Sequence, residues 1–316
     1  MMHRTLLMFA IAGVLSAAAP HAQQPPSSPQ QPAPPAASFR GGVDVVSLNV
    51  TVTDRANRYV LDLDLPDFSV FEDGAKQDVT FFTRQRQSVA LSLLLDSSAS
   101  MEDHLSTLQA AATNFVGRLG PNDVAQVIDF DSRVVVRQEF TADHEELGRA
   151  IRQTVAGGST SLYNATYVAL KELGKARAVS EQDVRRQAVV LFSDGEDTSS
   201  LVSFEEVLEI AKRSETAIYT IALRDAGAQT RGFREAEFVL RSLAQETGGR
   251  AFFPAKIEDL AGVYAQIGEE LASQYTLGYT SKNPKRDGAW RRVIVQVGRP
   301  DTAARTKNGY YAPKLR

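Results

Sequence analysis

The chain has 316 residues, of which 43% are hydrophobic and 23% charged, as in an ordinary soluble globular protein. Its formal net charge of −3 excludes binding to nucleic acid through overall charge alone. It contains no cysteine, which excludes disulfides, cysteine zinc sites, cysteine nucleophiles and a lipid-bearing N-terminal cysteine, and its four histidines disfavour a histidine-rich metal site.

The N-terminus has the pattern of an export signal. His3 and Arg4 precede an apolar stretch over residues 6–19, and small residues follow it. An uncleaved anchor is the alternative, but the stretch is shorter than the ~20 apolar residues of a spanning helix. We therefore expect residues 1–22 to be a cleaved signal peptide. We expect the mature chain to be periplasmic or extracellular, with no transmembrane segment.

Two further segments precede the main domain. Gln, Pro, Ser and Ala dominate residues 23–42, which is typical of an extended, disordered linker. Apolar and polar residues then alternate over 46–53, which predicts a half-buried strand. Further strands are predicted near 68–71 and 79–83. We treat residues 43–87 as an N-terminal β segment too small to be stable alone.

From Val89 the pattern changes to alternating strands and helices. The apolar runs 89–95 and 188–192 are typical of parallel strands buried on both faces. The predicted helices are residues 105–119, 145–154, 162–176, 204–214, 234–247 and 257–274. This alternation predicts an α/β domain over residues 88–275, with a doubly wound, mostly parallel sheet and helices on both faces.

The C-terminal residues 276–316 return to β structure, with strands predicted at 275–280 and 290–297. We expect this segment to pack with the N-terminal β segment in one small β unit, since neither half buries enough apolar surface alone. It contains ten Lys or Arg and two Asp, a net charge of +8. Lys285, Arg286, Arg291 and Arg292 could form a basic patch for an anionic partner, or merely a solvated β face. Its aromatic residues lack the spacing for stacking on nucleic acid.

Three oxygen-rich fragments follow or precede elements of the α/β domain. Asp96, Ser98 and Ser100 form a D-x-S-x-S run after the first apolar strand, and Asp194 follows the strand at 188–192. Thr160 ends a Gly-Gly-Ser-Thr loop before a helix. Two carboxylates and three hydroxyls form an all-oxygen ligand set for a hard cation. Ligands of open α/β sheets bind beyond such strand ends, although caps of helices and turns are the alternative explanation.

The order and spacing of these residues resemble the metal-ion-dependent adhesion site of von Willebrand factor A (VWA) domains, which have a Rossmann-like fold. The mature chain is also similar to secreted bacterial VWFA-related proteins. The resemblance implies that Ser98 and Ser100 bind the metal directly, and Asp96 and Asp194 directly or through water. It implies that Thr160 binds directly when a ligand is engaged. Mg²⁺ suits such a site best, with Mn²⁺ as a plausible substitute.

Other acidic residues and histidines near the motif have simpler explanations. In integrin β-subunit domains a second acid builds an adjacent metal site, but here His104 follows Asp103, so we expect a single metal. His104 and Asp103 are expected to be exposed in the first turn of a helix. Asp129, Asp131 and Asp197 are expected to be solvated residues at strand ends.

These observations favour binding over catalysis. The chain lacks the G-x-S-x-G, G-x-x-x-x-G-K-[ST] and G-x-G-x-x-G motifs, so we expect no enzyme and no catalytic residues. The first hypothesis is an exported, metal-dependent protein-binding or adhesion module. Its open metal position would bind a Glu or Asp of a partner protein, with the surrounding surface as the interface. The alternative is a metal-independent assembly component of a cell-envelope complex, acting through the β unit or the basic patch.

Overall fold

The computed structural model describes residues 45–179, 185–193, 196–223 and 231–314. The strands are β1 (Val45–Asp54), β2 (Phe68–Glu72), β3 (Ala75–Gln77), β4 (Val79–Thr83), β5 (Val89–Asp96), β6 (Val124–Phe130), β7 (Val134–Thr141), β8 (Arg186–Ser193), β9 (Ala217–Ala222), β10 (Ala251–Phe252), β11 (Tyr275–Thr280), β12 (Trp290–Val297), β13 (Thr302–Arg305) and β14 (Gly309–Tyr311). The α-helices are α1 (Leu105–Val116), α2 (His144–Arg152), α3 (Leu162–Val179), α4 (Phe204–Arg213), α5 (Arg231–Thr247) and α6 (Leu260–Ala272). Short 3₁₀ helices span Leu65–Asp67, Ala99–Met101 and Ile257–Asp259.

Six strands form the central sheet in the order β10-β9-β8-β5-β6-β7. All neighbouring pairs are parallel except β6 and β7, which are antiparallel. From β5 the chain moves to one side through β6 and to the other through β8, so the strand order reverses between β5 and β8. Ligands of open α/β sheets bind at such a point. The predicted doubly wound, mostly parallel sheet is confirmed.

Helices cover both faces of this sheet. Alternate residues of a strand point to opposite faces, and β5 follows this rule. Leu93 belongs to an apolar cluster with Phe115 of α1 and Ile267 of α6, whereas Leu94 belongs to a second cluster with Ala169 of α3. Every residue of β5 and of β8 is buried, which explains why apolar residues dominate both strands.

The two ends of the described chain together form two smaller antiparallel sheets, β13-β1-β11-β4 and β14-β12-β2-β3. Leu48 of β1 pairs with Leu277 of β11, and Val70 of β2 pairs with Val295 of β12. These apolar side chains lie in one shared cluster, to which Tyr275 also belongs. The expected small β unit made from N- and C-terminal segments is therefore present, and we call it the β sandwich.

Some local expectations differ from the structure. The strands β3 and β13 were not predicted, and β10 contains only two residues. β3 arises because Asp73 and Gly74 adopt φ values of 47° and 85°, the left-handed pair of a type I′ hairpin turn, and so bring Ala75 opposite Glu72. The long helix expected from residue 257 begins instead as a 3₁₀ turn.

The expected basic patch is also partly wrong. Lys285, Arg286 and Arg292 are exposed, but Arg291 is buried. Its guanidinium lies 3.0 Å from the carboxylate of Asp287, because Arg291 is the inward-facing residue of β12 at that position. Arg291 therefore neutralises a carboxylate within the chain and does not contribute to an exposed cationic surface.

The predicted signal peptide (residues 1–22) and linker (residues 23–42) lie outside the described residues and remain predictions. Within the described ranges, no helix combines the length and the apolar character needed to cross a membrane. Export and the side of the envelope on which the chain acts therefore remain inferences from the N-terminal sequence.

Candidate metal centre

Asp96 ends the central strand β5 and is completely buried, with 0% of its surface exposed. Its Oδ1 accepts a hydrogen bond of 2.9 Å from the backbone N–H of Ser98, and its Oδ2 accepts one of 2.6 Å from Ser193 Oγ. A carboxylate has about four lone-pair positions, so both oxygens can accept further partners. The carboxylate is thus fixed in orientation and can still bind a cation or its water.

The hydroxyls of Ser98 and Ser100, which follow Asp96 in the D-x-S-x-S run, lie close to each other. Their Oγ atoms are 3.1 Å apart. Two oxygens in neighbouring positions of an octahedral Mg²⁺ site, each at about 2.1 Å from the ion, are about 3.0 Å apart. Ser98 is buried and Ser100 is exposed. The spacing therefore fits two adjacent ligands of one cation at the boundary with solvent.

The Gly157–Gly158 loop is bonded to the D-x-S-x-S run through the main chain. The N–H of Gly157 donates to the carbonyl of Ser97 (2.8 Å), and the N–H of Ala99 donates to the carbonyl of Gly158 (3.1 Å). Gly158 has φ +74°, and a Cβ there would lie 3.0 Å from Ser132 Oγ. Glycine is therefore favoured here by the positive φ and by the close approach of Ser132 in the turn after β6.

Thr160 follows this loop and is 6% exposed. Its N–H donates to Thr198 Oγ1 (3.0 Å), and its carbonyl accepts from the N–H groups of Thr198 (2.8 Å) and Ser199 (3.0 Å). These bonds hold the main chain of Thr160 and do not use its hydroxyl. Thr160 thus lies where the loop after β8 meets the loop bonded to the D-x-S-x-S run.

The fifth predicted ligand, Asp194, lies outside the described residues, although the preceding Ser193 is described and contacts Asp96. Contacts bring Asp96, Ser98 and Ser100 together, and Thr160 is joined to them through its loop. No group of three or more His, Asp or Glu side chains in the described part of the chain is placed to hold a metal. The five residues remain the predicted ligands of a site rich in hydroxyls.

Supporting residues of the centre were missed or misjudged from the sequence. Asp197 is half-buried rather than solvated, because its Oδ1 accepts from the N–H of Tyr163 (3.1 Å) at the start of α3. Ser200 Oγ accepts from the N–H of Asn164 (3.0 Å) in the same turn. The loop after β8 therefore caps α3 and holds it beside the metal centre. Burial, followed by the charge of Asp197, raises the pKa of Tyr163.

Asp129 also differs from the expected solvated strand end. It is 3% exposed, and both of its carboxylate oxygens accept hydrogen bonds of 2.9 Å from Arg137. These bonds raise the pKa of Arg137. The pair lines a cleft of about 270 Å³ whose wall includes Gly157 and Gly158 of the metal-centre loop. Asp129 is thus neutralised within the chain, beside the site.

Asp103 and His104 precede α1 rather than lying within its first turn. α1 begins at Leu105, and Asp103 lies in a turn between the 3₁₀ helix Ala99–Met101 and α1. Asp103 is exposed as expected, whereas His104 is half-buried because it is the residue from which the helix starts. Residues 103 and 104 thus form a turn, and the first α-helical turn begins at Leu105.

Comparison with known families agrees with this geometry. Residues 91–196 match the family model described as the von Willebrand factor type A domain. This part of the chain is a VWA domain. All five predicted ligands fall within the matched residues. The match confirms the predicted relationship to VWA-domain proteins and with it the fold.

Relatives of this VWA domain extend over different shares of the chain. An uncharacterised protein of Synechocystis is 28% identical over 116 residues, which are 36% of this chain and 26% of that protein. A UPF0353 protein of Mycolicibacterium gilvum is 23% identical over 255 residues, 75% of each chain. The structure of a von Willebrand factor type A protein from Catenulispora acidiphila aligns with a TM-score of 0.50 at 10% identity, covering 87% of this chain and 76% of that one. This last likeness extends the shared fold beyond the matched family segment.

Proposed function

We propose that the VWA domain binds a divalent cation at the D-x-S-x-S centre and through it a protein that supplies an acidic side chain. The observation that carries the proposal is the buried Asp96 carboxylate, which Ser98 N–H and Ser193 Oγ orient, in the same D-x-S-x-S run as two hydroxyls 3.1 Å apart. A carboxylate removed from water is costly unless it is paired or coordinates a cation. A cation at the centre would be such a partner for the buried Asp96 carboxylate.

The ligand types decide which cation and which partner group suit the centre. Asp96 and Asp194 would balance the charge of a divalent ion, while Ser98, Ser100 and Thr160 would contribute neutral oxygens. Mg²⁺ prefers such oxygen sets and retains waters that a ligand can replace, and Mn²⁺ accepts the same ligands. When bound, the ion would supply the positive charge that coordinates a Glu or Asp of the partner. We propose binding, and no catalytic step, for this site.

A second candidate function rests on the β sandwich. Val45 and Phe81 are 54% and 49% exposed, and a Cβ on Gly278 would lie 3.3 Å from Val45 Cγ1 and 3.0 Å from Phe81 Cβ. Val45 and Phe81 therefore lie beside the buried Gly278 and form a small exposed apolar surface, of a kind that often marks a protein contact. In this alternative the chain is an assembly component of a cell-envelope complex, and its contacts do not depend on metal.

Metal binding is tested by the melting temperature of the mature protein with and without millimolar Mg²⁺ or Mn²⁺. A ligand that binds the native state raises the melting temperature in proportion to its occupancy. We expect a rise that Asp96→Asn, Ser98→Ala and Asp194→Ala abolish. Ser97→Ala is the matched control, since Ser97 Oγ bonds to the carbonyl of Phe130 and not to the centre. No rise in the wild type, or an equal rise in Asp96→Asn, would contradict the proposal.

Partner binding separates the two candidate functions. Mature protein is immobilised, and envelope proteins are captured in Mg²⁺ or in chelator. Capture that disappears with chelator and with Asp194→Ala supports the metal-dependent module. Capture that persists under both conditions and is lost with Phe81→Ser supports the assembly component.

A further inference from the structure

Two large apolar side chains, Leu201 and Val155, are highly exposed in the loops of the candidate metal centre. Among the large hydrophobic residues of the described ranges, Leu201 (95% exposed) and Val155 (73%) are the most exposed. Single exposed apolar residues are common on protein surfaces. Here, however, the two greatest exposures both occur in loops that build one site, one loop on each side of Thr160 in the sequence. That coincidence suggests a contact surface.

Leu201 is held in place by its main chain. Its N–H donates to Asn164 Oδ1 (3.1 Å), and the N–H of the next residue, Val202, donates to the same oxygen (3.3 Å). Two residues earlier, Ser199 donates its N–H to the carbonyl of Thr160. The loop that carries Leu201 is therefore anchored to α3 and to the metal centre, while the Leu201 side chain remains uncovered.

Val155 is anchored in the same way on the other side. The preceding Thr154 is buried, and its carbonyl accepts from Gln109 Nε2 (2.9 Å). Two residues later, the N–H of Gly157 donates to the carbonyl of Ser97 in the D-x-S-x-S run. A side chain presented from a main chain fixed at both ends loses little further freedom on binding, which favours affinity.

The surroundings of Val155 bear on the charge of the partner. The cleft beside it, of about 270 Å³, is lined by Asp129, Asp131, Arg133 and Arg137 as well as by Val155. Arg137 is paired with Asp129, and Arg133 Nε lies 4.0 Å from Asp131 Oδ1, so the charges of the cleft balance. The cation proposed for the D-x-S-x-S centre is then the positive charge that complements an acidic partner segment.

We propose that Val155 and Leu201 are specificity-determining residues of the metal-dependent binding surface. The partner is then a protein loop whose acidic residue is flanked on both sides by aliphatic or aromatic side chains. The acid binds the metal, and the two apolar residues cover Val155 and Leu201. Apolar contacts that surround a central polar anchor exclude water from it and strengthen it. This inference rests on the proposed function and adds the chemistry of the partner to it.

The test uses a phage library of cyclic peptides, selected on the mature protein in Mg²⁺ and eluted with EDTA. We expect the eluted peptides to share a Glu or Asp with apolar residues on both sides. Val155→Ser and Leu201→Ser should each weaken binding of a selected peptide about tenfold or more. Leu61→Ser is the matched control, since Leu61 is 56% exposed but lies beside the β sandwich, and it should leave the affinity unchanged. All three side chains are exposed, so the melting temperatures of the variants should match that of the wild type.

The possible outcomes distinguish a failure of this inference from a failure of the proposed metal-dependent binding. EDTA-eluted peptides that bind Val155→Ser and Leu201→Ser as tightly as the wild type overturn the inference and leave metal-dependent binding in place. Peptides that need Leu201 but persist in EDTA also overturn it, because the apolar contact then acts without the metal. A library that yields no EDTA-sensitive peptide overturns the proposed function and the inference together.

Discussion

Ser193 Oγ donates a 2.6 Å hydrogen bond to Asp96 Oδ2 between the ends of the neighbouring strands β8 and β5. Both residues are fully buried, and strand order reverses between these two strands. A hydrogen bond to a charged acceptor is shorter and stronger than one between neutral groups. This contact therefore orients Asp96, a predicted metal ligand, from the adjacent strand.

Replacement of Ser193 by Ala should lower the free energy of unfolding in chelator by about 1.5–3 kcal/mol, the range for a hydrogen bond to a charged group. Urea unfolding at pH 7 measures the change. Ser199→Ala is the control, because Ser199 Oγ is buried with no hydrogen-bond partner, so its removal should cost less. Equal losses in the two variants would show that Ser193 stabilises the fold only through its volume.

Two glycines should respond to alanine in opposite directions. A Cβ on Gly249 would lie 2.0 Å from the carbonyl oxygen of Ile218 in β9, so Gly249→Ala must displace backbone and should cost more than about 3 kcal/mol or prevent folding. Gly174 lies within α3 with no atom within 4 Å of such a Cβ. Gly174→Ala should therefore stabilise by about 0.5–1 kcal/mol. Urea unfolding of both variants checks this, and a stable Gly249→Ala would show that β9 can shift.

Sequence periodicity predicted the long elements because each buries a regular apolar pattern. β1 alternates apolar and polar residues and is half-buried, and β5 is apolar except for Ser92 and the terminal Asp96 and is fully buried. β13 was not predictable, since its four residues, TAAR, carry no apolar pattern. It becomes a strand because Ala303 and Ala304 lie opposite Thr53 and Val52 at the edge of β1, a pairing between distant parts of the chain.

The same distinction applies to the metal centre. The oxygen-bearing residues were recognisable because the spacing D-x-S-x-S follows a buried strand. The groups that hold these residues in place could not be predicted from the sequence, because they are distant along the chain. Ser193 is 97 positions from Asp96, and Asp197 is 34 positions from Tyr163. Asp129 looked solvated because sequence alone does not show that the neighbouring strand places Arg137 against it.

The Asp143 carboxylate should stabilise the protein at neutral pH and lose this effect at acidic pH. Its Oδ1 accepts from the N–H groups of Glu145 (2.8 Å) and Glu146 (3.1 Å) at the start of α2, and these bonds lower its pKa from the ordinary value of 3.8. A lowered folded-state pKa stabilises the protein above pH 3.8, and this contribution is lost as the pH falls through the folded-state value. We expect Asp143→Ala to melt below the wild type at pH 7.

This prediction is tested by measuring, at several pH values, the difference in melting temperature between the wild type and Asp143→Ala. The gap between the two melting temperatures should narrow as the pH falls below 3.8. Asp143→Asn is the control, because Asn caps a helix without a charge and should retain much of the stability at every pH. A gap that stays constant from pH 7 to pH 3 would show that the charge of Asp143 contributes nothing.

A charge pair with a fully buried carboxylate joins α6 to the β sandwich. Glu270 is fully buried, its Oε1 accepts from Tyr219 OH (2.8 Å), and its Oε2 lies 2.5 Å from Arg305 Nη2. Arg305 Nη1 also donates to the carbonyls of Gly248 (2.7 Å) and Gly249 (2.5 Å) after α5. Burial would lower the pKa of Arg305, but the charge of Glu270 outweighs it and the pKa is raised. One side chain of β13 thus contacts two helix ends.

Arg305→Met should therefore cost about 3 kcal/mol, because it leaves the Glu270 carboxylate buried without its cation. Glu270→Gln combined with Arg305→Met should cost less than the sum of the two single changes, since the neutral pair leaves no buried charge. A double-mutant cycle from urea unfolding at pH 7 measures this coupling. Additive losses would mean that the two charges stabilise the protein independently. The attachment of α6 to the β sandwich would then depend on the apolar contacts and on the carbonyl hydrogen bonds of Arg305.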